Sequence, residues 1–427
     1  MKIGLYSFGT SGDIHPFLAL AHGLKSAGHE ATLTFHCAEK KDYSPLAESL
    51  GVPYRQTNIA LDTEVARING EMARGRPLDA VKYFEYAVYP YIEEMYASAK
   101  ELCRENDVVV GHPAIPVLFS AAEKTGRPRA LLAVYPNIVA SRYYPMTGLP
   151  SLGRRINRLL WDLGDYAYTK LFYAQFNDMR VKDGLPPVRK AFAETATPKN
   201  TPVIMAVDPQ LCPPAPDWTE DGRDVQVCGF FTMPAEHDSW AMPEEMRRFL
   251  GAGPPPVFMN FGTFTSATHP VDNLQLFVAA AQHANCRAIV QVEPDMLAAA
   301  DMASHPNIHA FSGRVPHHDI FPHCALVVHH GGSGTSHSTL YAGRPAVVVT
   351  HAGDQPFWAK RLELLGVADK ELPRRSVTAN ELGGAIRRVL DSPTIIEKAR
   401  EVGERMRRED GVQRAVALLE DRFGYAR

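Results

Sequence analysis

At roughly 150 residues per domain, a chain of 427 residues is long enough for two or three domains. Its 45 Lys+Arg against 48 Asp+Glu leave a formal net charge of −3 with no long basic run, which argues against nucleic acid as the main partner. A hydrophobic fraction of 45% with 22% charged residues excludes a disordered chain, and no apolar stretch approaches the ~20 residues that span a bilayer.

The start, Met1-Lys2-Ile3-Gly4-Leu5-Tyr6-Ser7-Phe8, runs straight into a strand pattern with no export signal, so a cytoplasmic protein is expected. The six cysteines lie far apart without a C-x-x-C pair, which fits scattered buried thiols in a reducing compartment.

In chain order, Ile3–Phe8, Ala31–Phe35, Val108–Val110 and Ala130–Val134 are predicted strands. Their continuous apolar character suits parallel strands buried on both faces. Between the first two, Ile14, Phe17, Leu18, Ala21 and Leu24 share one helical face, with Pro16 placed in the first turn and Gly28 after the last. From Tyr83 to Tyr173 the chain holds 11 of its 16 tyrosines, which suits either helices packed on the sheet or an aromatic pocket for an apolar ligand. The proline-rich stretch Pro202–Pro256 is expected to resist regular structure and mark a boundary. A second strand series follows at Val257–Phe261, Arg287–Val292, Ala325–Val328 and Ala346–Thr350, and Thr394–Phe423 has the pattern of a solvated helix pair. The fold class expected is α/β, two Rossmann-like doubly wound parallel-sheet domains. The boundaries are 1–214 and 256–404 for the two domains, 215–255 for the linker region and 405–427 for a C-terminal helical segment.

The most informative segment is His329-His330-Gly331-Gly332-Ser333-Gly334-Thr335, set between the apolar run Ala325–Val328 and a short helix pattern. A strand, a glycine turn and a helix N-terminus together make an anion site, because first-turn N–H groups lack intrahelical partners and the helix dipole favours negative charge. Ser333 and Thr335 add hydroxyl donors, and His330 can donate to a phosphate oxygen. Two alternatives are a metal site, using His329 and His330 with His317, His318 and His323, and a plain tight turn. Neither a P-loop nor a strict G-x-G-x-x-G occurs. Asp354-Gln355 follows strand Ala346–Thr350 at the edge where α/β ligands bind, and suits either sugar hydroxyls or the capping of a helix. Asn260-Phe261-Gly262-Thr263 ends another strand in a small polar turn that can approach a phosphate.

At these residues the sequence resembles family 1 glycosyltransferases of the GT-B fold, with bacterial natural-product, sterol-type and rhamnolipid-type members nearest. The resemblance rests on Val315-Pro316, Asp319-Ile320-Phe321, His329–Thr335, Gly343, Pro345 and Asp354-Gln355-Pro356, in that order. Gly9-Thr10-Ser11-Gly12-Asp13-Ile14-His15-Pro16 is similar to the family's first-loop motif. It implies two domains facing across a cleft, and transfer of a hexose, with inversion, from a nucleoside diphosphate sugar used as co-substrate. By position, His330, Gly332, Ser333, Gly334 and Thr335 would hold the diphosphate with help from Gly262 and Thr263, Asp354 and Gln355 the sugar hydroxyls, and Arg314-Val315 the base. Plant members carry Trp, Gln and Glu where this chain has Arg314, His317 and Ser338, so uridine and thymidine both stay open.

Inverting transfer needs a base for the acceptor proton and a way to stabilise the departing diphosphate. Asp13 matches the family base position, His15 is the rival base, and His112 ends a further strand at the same sheet edge, orienting Asp13 or serving structure alone. A helix N-terminus keeps Asp13 ionised and a weak base; the alternative is a capping aspartate. No D-x-D pair occurs, so a metal-bridged diphosphate is not expected, and the nucleoside diphosphate sugar is expected as co-substrate with no cofactor beside it. The acceptor expected is a small apolar or aromatic molecule. An epimerase on a similar scaffold and a non-catalytic binding partner are the competing functions.

Overall fold

The computed structural model describes residues 1–38, 41–58, 81–146, 149–233, 240–262, 270–292, 294–299, 304–313 and 315–424. They fall into two compact units, one drawn from 1–58, 81–233 and 410–424 and the other from 240–409.

The first unit is built on seven parallel strands: β1 (Lys2–Gly9), β2 (Glu30–Cys37), β3 (Tyr54–Asn58), β4 (Val108–Gly111), β5 (Arg129–Ala133), β6 (Pro202–Met205) and β7 (Asp224–Val227). Their order in the sheet is β3-β2-β1-β4-β5-β6-β7, so the winding reverses between β1 and β4. Alternation along β1 sends Ile3 and Leu5 into one apolar cluster and Tyr6 and Phe8 into the cluster on the other face. A strand enclosed on both sides needs the continuous apolar run its sequence shows.

The first cluster takes in Phe17, Leu20 and Leu24 of α1 (Ser11–Ser26). This helix starts earlier than its apolar face suggests, because Thr10 and Asp13 form a capping box ahead of it. Pro16 therefore lies beyond the first turn, where it removes the N–H that would bond the Gly12 carbonyl. Gly28 takes the left-handed conformation expected of it, with φ +85°. The second cluster takes in α2 (Ile92–Glu105), α3 (Val117–Thr125), and the facing ends of α4 (Arg154–Phe172) and α5 (Ala174–Lys182).

Two readings of the sequence are corrected here. Pro202–Pro256 holds β6 and β7, both paired in parallel within the first sheet, and a helix over Glu244–Gly251. Pro202 is the first residue of β6, where a missing donor is tolerated, and β7 contains no proline. The last two helices are not simply solvated. Pro393–Arg407 buries Ala399, Val402, Gly403 and Met406, while Gly411–Phe423 buries Ala415, Val416 and Leu419 in the first unit.

In the second unit, β8 (Val257–Met259), β9 (Ala288–Gln291), β10 (Ile308–Phe311), β11 (Leu326–His329), β12 (Ala346–Thr350) and β13 (Leu372–Pro373) form a parallel sheet of order β10-β9-β8-β11-β12-β13. Its winding reverses between β8 and β11. Met259 and Val328 face a cluster with helix Ala379–Leu390, whereas Phe258 and Val327 face Ile320, Phe321 and Cys324. Strands β3, β10 and β13 lie at sheet edges, and β3 and β13 carry too few apolar residues to stand out in the sequence.

Gly403 of the helix Pro393–Arg407 lies against the chain following β11: a Cβ there would sit 2.5 Å from the Leu340 carbonyl oxygen and 2.6 Å from the Gly343 Cα. Both neighbours are backbone and cannot rotate aside. Gly403→Ala is expected to lower stability by about 1–3 kcal/mol in urea unfolding, as overpacking does; an unchanged midpoint would show that the two helices separate freely.

Candidate active site

In a doubly wound sheet the crevice for a ligand opens beyond the carboxyl ends of the strands where their order reverses. In the first unit those strands are β1 and β4, followed by Asp13 and His112. Gly9, at φ +133°, leaves room for the Asp13 carboxyl, since a Cβ there would meet Asp13 Oδ2 at 2.2 Å. Asp13 Oδ2 accepts the Thr10 backbone N–H at 2.9 Å, and Oδ1 lies 3.5 Å from His112 Nε2. His112 Nδ1 accepts from the Ala114 N–H at 3.2 Å, which leaves the ring proton on Nε2, facing Asp13. Burial pushes the His112 imidazole down to about 4, so the ring that faces the carboxylate is neutral. Asp13 is thus the third residue of the helix and caps it, with one oxygen in the cap and the other 3.5 Å from His112 Nε2. The His15 ring lies edge-on to Tyr43, with centroids 6.0 Å apart.

The aromatic stretch is used mainly for packing. Phe84, Tyr89, Tyr168, Phe172, Tyr173 and Phe176 pack ring against ring at tilted angles. Buried phenols find partners, Tyr89 on the Phe172 carbonyl and Tyr173 with the Thr195 hydroxyl. Tyr83 differs, because the Asp13 charge helps to raise its phenol beyond the ordinary range, second to burial.

In the second unit the reversal lies between β8 and β11, followed by Gly262 and His330. The His330 ring sits between two glycines. A Cβ on Gly262 would lie 2.8 Å from its Cε1, and one on Gly332 would lie 2.5 Å from its Nε2. Gly262, at φ +79°, also needs its glycine for the backbone, whereas Gly332, at φ −63°, needs it only for the imidazole. Burial pushes His330 down to about 4, and among the described residues its buried Nδ1 has no partner. Gly332 opens α6 here, the nine-residue helix Ser333–Tyr341, with no side-chain cap and no acid in the first turn. Ser336 N–H is the first to find a helix carbonyl, that of Gly332, at 2.9 Å. In the turn before it, Gly334 is exposed and Ser333 and Thr335 are half-buried, and the turn carries the N–H groups of a helix start.

Gln355 begins α7 (Gln355–Leu365) after β12. Its Oε1 accepts the N–H of His351 at 2.7 Å and of Ala352 at 3.1 Å, so its amide NH2 points elsewhere as a donor. Asp354 Oδ2 accepts from Trp358 Nε1 at 2.7 Å, and burial raises the carboxyl above its ordinary range. Asp354 makes no capping bond with its side chain. Gly331, at φ +88°, packs against the Gln355 carbonyl, joining the glycine turn to this second loop.

Thr263 and Arg314 lie outside the described residues. The Val315 side chain is buried with Ile320 and Phe321, which leaves only its backbone for a base. For the metal alternative, His329 Nδ1 is taken by the Gly331 N–H at 3.0 Å and His317 stacks on Phe321 with centroids 4.4 Å apart. No ligand cluster of metal type occurs among the described residues. Two supporting residues escape the sequence reading although their spacing signals them. His337 Nδ1–H donates to the Ser333 carbonyl at 2.7 Å, and the His337 ring meets that of Trp358, the residue that holds Asp354. Each pairing spans four positions on a helix, where side chains and backbone of successive turns meet.

The architecture of the chain is the GT-B fold. Its structural neighbours include the kitacinnamycin glycotransferase, at TM-score 0.72 and 21% identity over 99% of this chain and 98% of that one. The glycosyltransferase VinC in complex with DTDP aligns at TM-score 0.67 and 19% identity over 99% of each chain.

Residues 278–420 match the family described as "Erythromycin biosynthesis protein CIII-like, C-terminal domain". The chain is homologous along its length to glycosyltransferases: it is 28% identical to O-mycaminosyltylonolide 6-deoxyallosyltransferase of Streptomyces fradiae, over 99% of this chain and 97% of that protein. It is also 28% identical to the sterol 3-beta-glucosyltransferase of Pichia angusta over 100% of this chain, but spans only 34% of that protein's length. The resemblance read from the motifs holds at the level of glycosyltransferases with this fold. No helix among the described residues is long and apolar enough to cross a membrane.

Two outcomes follow. Gly332→Ala, which strains no backbone, is expected to push the His330 ring aside and weaken nucleoside diphosphate binding by about tenfold or more in calorimetry; in a His330→Ala background it should change little. Equal losses in both backgrounds would detach His330 from the ligand. Burial also holds His329 at about 3 and His337 at about 4, against about 6.5 in an unfolded chain. The unfolded state therefore binds more protons below pH 6.5, and stability falls as pH drops. Each of these two enclosed rings should remove about 2 kcal/mol by pH 5, visible as a falling urea midpoint; a flat profile from pH 7 to 5 would contradict it.

Proposed function

We propose that this chain is an inverting, metal-independent glycosyltransferase. It moves a hexose from a UDP- or dTDP-sugar to a hydroxyl of a small apolar or aromatic acceptor. The observation that carries the reading is the seat of His330 between Gly262 and Gly332, ahead of an uncapped helix start. That arrangement supplies neutral N–H donors and a helix dipole to a departing diphosphate, the charge that the reaction must stabilise. The Gln355 amide and the Asp354 carboxylate, held by Trp358, offer a donor and an acceptor for sugar hydroxyls. The names of the relatives, a deoxyallosyltransferase and sterol glucosyltransferases, support sugar transfer to apolar acceptors. The DTDP in the VinC structure supports a nucleoside diphosphate donor.

Asp13 is the base of this scheme. One carboxylate oxygen is fixed by the Thr10 N–H, and the other faces the neutral His112. As the acceptor oxygen bonds to the anomeric carbon, its proton passes to Asp13, and the C–O bond to the diphosphate breaks on the opposite side of the sugar carbon. Displacement from one face inverts the anomeric configuration. His112 keeps the carboxylate aimed, and so acts as a positioning residue.

Asp13→Asn keeps an oxygen for the Thr10 N–H and so preserves the cap. The variant is expected to lower kcat by about 10²–10⁴, the range of general base catalysis, with donor KM little changed. The assay is acceptor-dependent release of UDP or dTDP, with the product anomer read by NMR. Loss of donor binding in the variant, a retained anomer, or conversion of the donor without acceptor would overturn this reading.

A further inference from the structure

Helix α4 is turned the unexpected way round. At 100° per residue, Asn157, Trp161, Asp165, Thr169 and Phe172 share one face, and all of them are buried. Three of these five are polar. The opposite face carries Ile156, Leu159, Leu163 and Tyr166, exposed by 46%, 64%, 62% and 60%. Leu149 and Leu152, just ahead of the helix, are exposed as well.

Hydrogen bonds fix this orientation. Asn157 accepts the Leu152 N–H at 3.1 Å and donates to the Arg142 carbonyl at 3.2 Å. Trp161 Nε1 donates to the Tyr144 carbonyl at 2.9 Å. Asp165 takes the N–H groups of Phe192 at 2.9 Å and Ala193 at 3.2 Å, and Thr169 Oγ1 takes that of Ala191 at 2.9 Å. Rolling the helix to hide its leucines would leave these groups buried and unpaired, at a higher cost than the exposure it removed. The leucines are therefore held outward.

Charge identifies what they meet. Arg154, Arg155, Arg158 and Lys170 are exposed on the same helix, against Asp162 as the one exposed acid, which lies 4.0 Å from Arg158. The neighbouring Arg189 and Lys190 are exposed beside Glu194. Arg154 stacks on the Tyr143 ring, 4.5 Å from its centroid. Self-pairing is disfavoured by this pattern. A parallel pair of α4 helices would set the arginine end against itself, and an antiparallel pair would set it against Lys170.

We propose that the exposed face of α4 seats the protein on an anionic membrane surface, its leucines entering the headgroup boundary and its cations meeting lipid phosphates. An apolar strip edged by basic residues is the pattern of an interfacial helix. The proposal stands apart from the transfer reaction and does not depend on it.

The test is sedimentation of the purified full chain with vesicles of phosphatidylcholine alone or mixed with phosphatidylglycerol. Binding is expected to the mixed vesicles, to weaken with added salt, and to fall about tenfold or more in Leu159→Gln/Leu163→Gln. Both positions are exposed, so the thermal midpoint should hold. Arg155→Gln/Arg158→Gln should reduce the preference for mixed vesicles while leaving the apolar strip intact. The proposal is overturned if the wild type stays in solution with both vesicle types, or if the leucine variant binds as well as the wild type. It is likewise overturned if the leucines instead support a dimer that the same substitutions dissolve in analytical ultracentrifugation.

Discussion

The candidate site in each unit rests on one topological constraint, the reversal of strand order in each of two parallel sheets. Between β1 and β4, and again between β8 and β11, adjacent strands send their chains to opposite faces. The helices that follow must part, and a crevice opens above the strand ends. Each crevice is furnished by the two residues that leave the strands beside it: Asp13 and His112 in one unit, Gly262 and His330 in the other.

Burial then dictates the chemistry. Imidazoles enclosed at strand ends lose their charge, so the His112 and His330 rings are neutral. Glycine does the complementary work by absence of a side chain. Gly9 makes room for the Asp13 carboxyl, and Gly262 and Gly332 for the His330 ring. Such glycines serve the side chain opposite them, and only some also need a left-handed backbone.

Much of this was legible in the sequence, for identifiable physical reasons. The central strands are enclosed on both faces and so had to be continuous apolar runs, as in Val108–Gly111 and Ala346–Thr350. The glycine turn at Gly331-Gly332 betrayed itself by its place between a strand and a helix. What escaped was whatever depends on partners distant in sequence. Edge strand β3, Tyr-Arg-Gln-Thr-Asn, needs only one neighbour and carries little apolar signal. Prolines hid β6 and β7, although a single proline at a strand's first position breaks no ladder. The tyrosines of Tyr83–Tyr173 suited packing and ligand alike, and only their contacts show that most serve packing. The polar inner face of α4 likewise depends on carbonyls and amides elsewhere in the chain, so periodicity alone would have put its leucines inside.

The central claim is that the turn from His330 to Thr335 grips a diphosphate. The most direct measurement is titration of the ¹⁵N-labelled protein with dTDP or UDP, followed by amide and imidazole resonances. The account predicts that the amides of Ser333, Gly334 and Thr335 and the ring nitrogens of His330 shift first and furthest, saturating together. Nucleotide binding that leaves those four residues unmoved while shifting resonances elsewhere would contradict it.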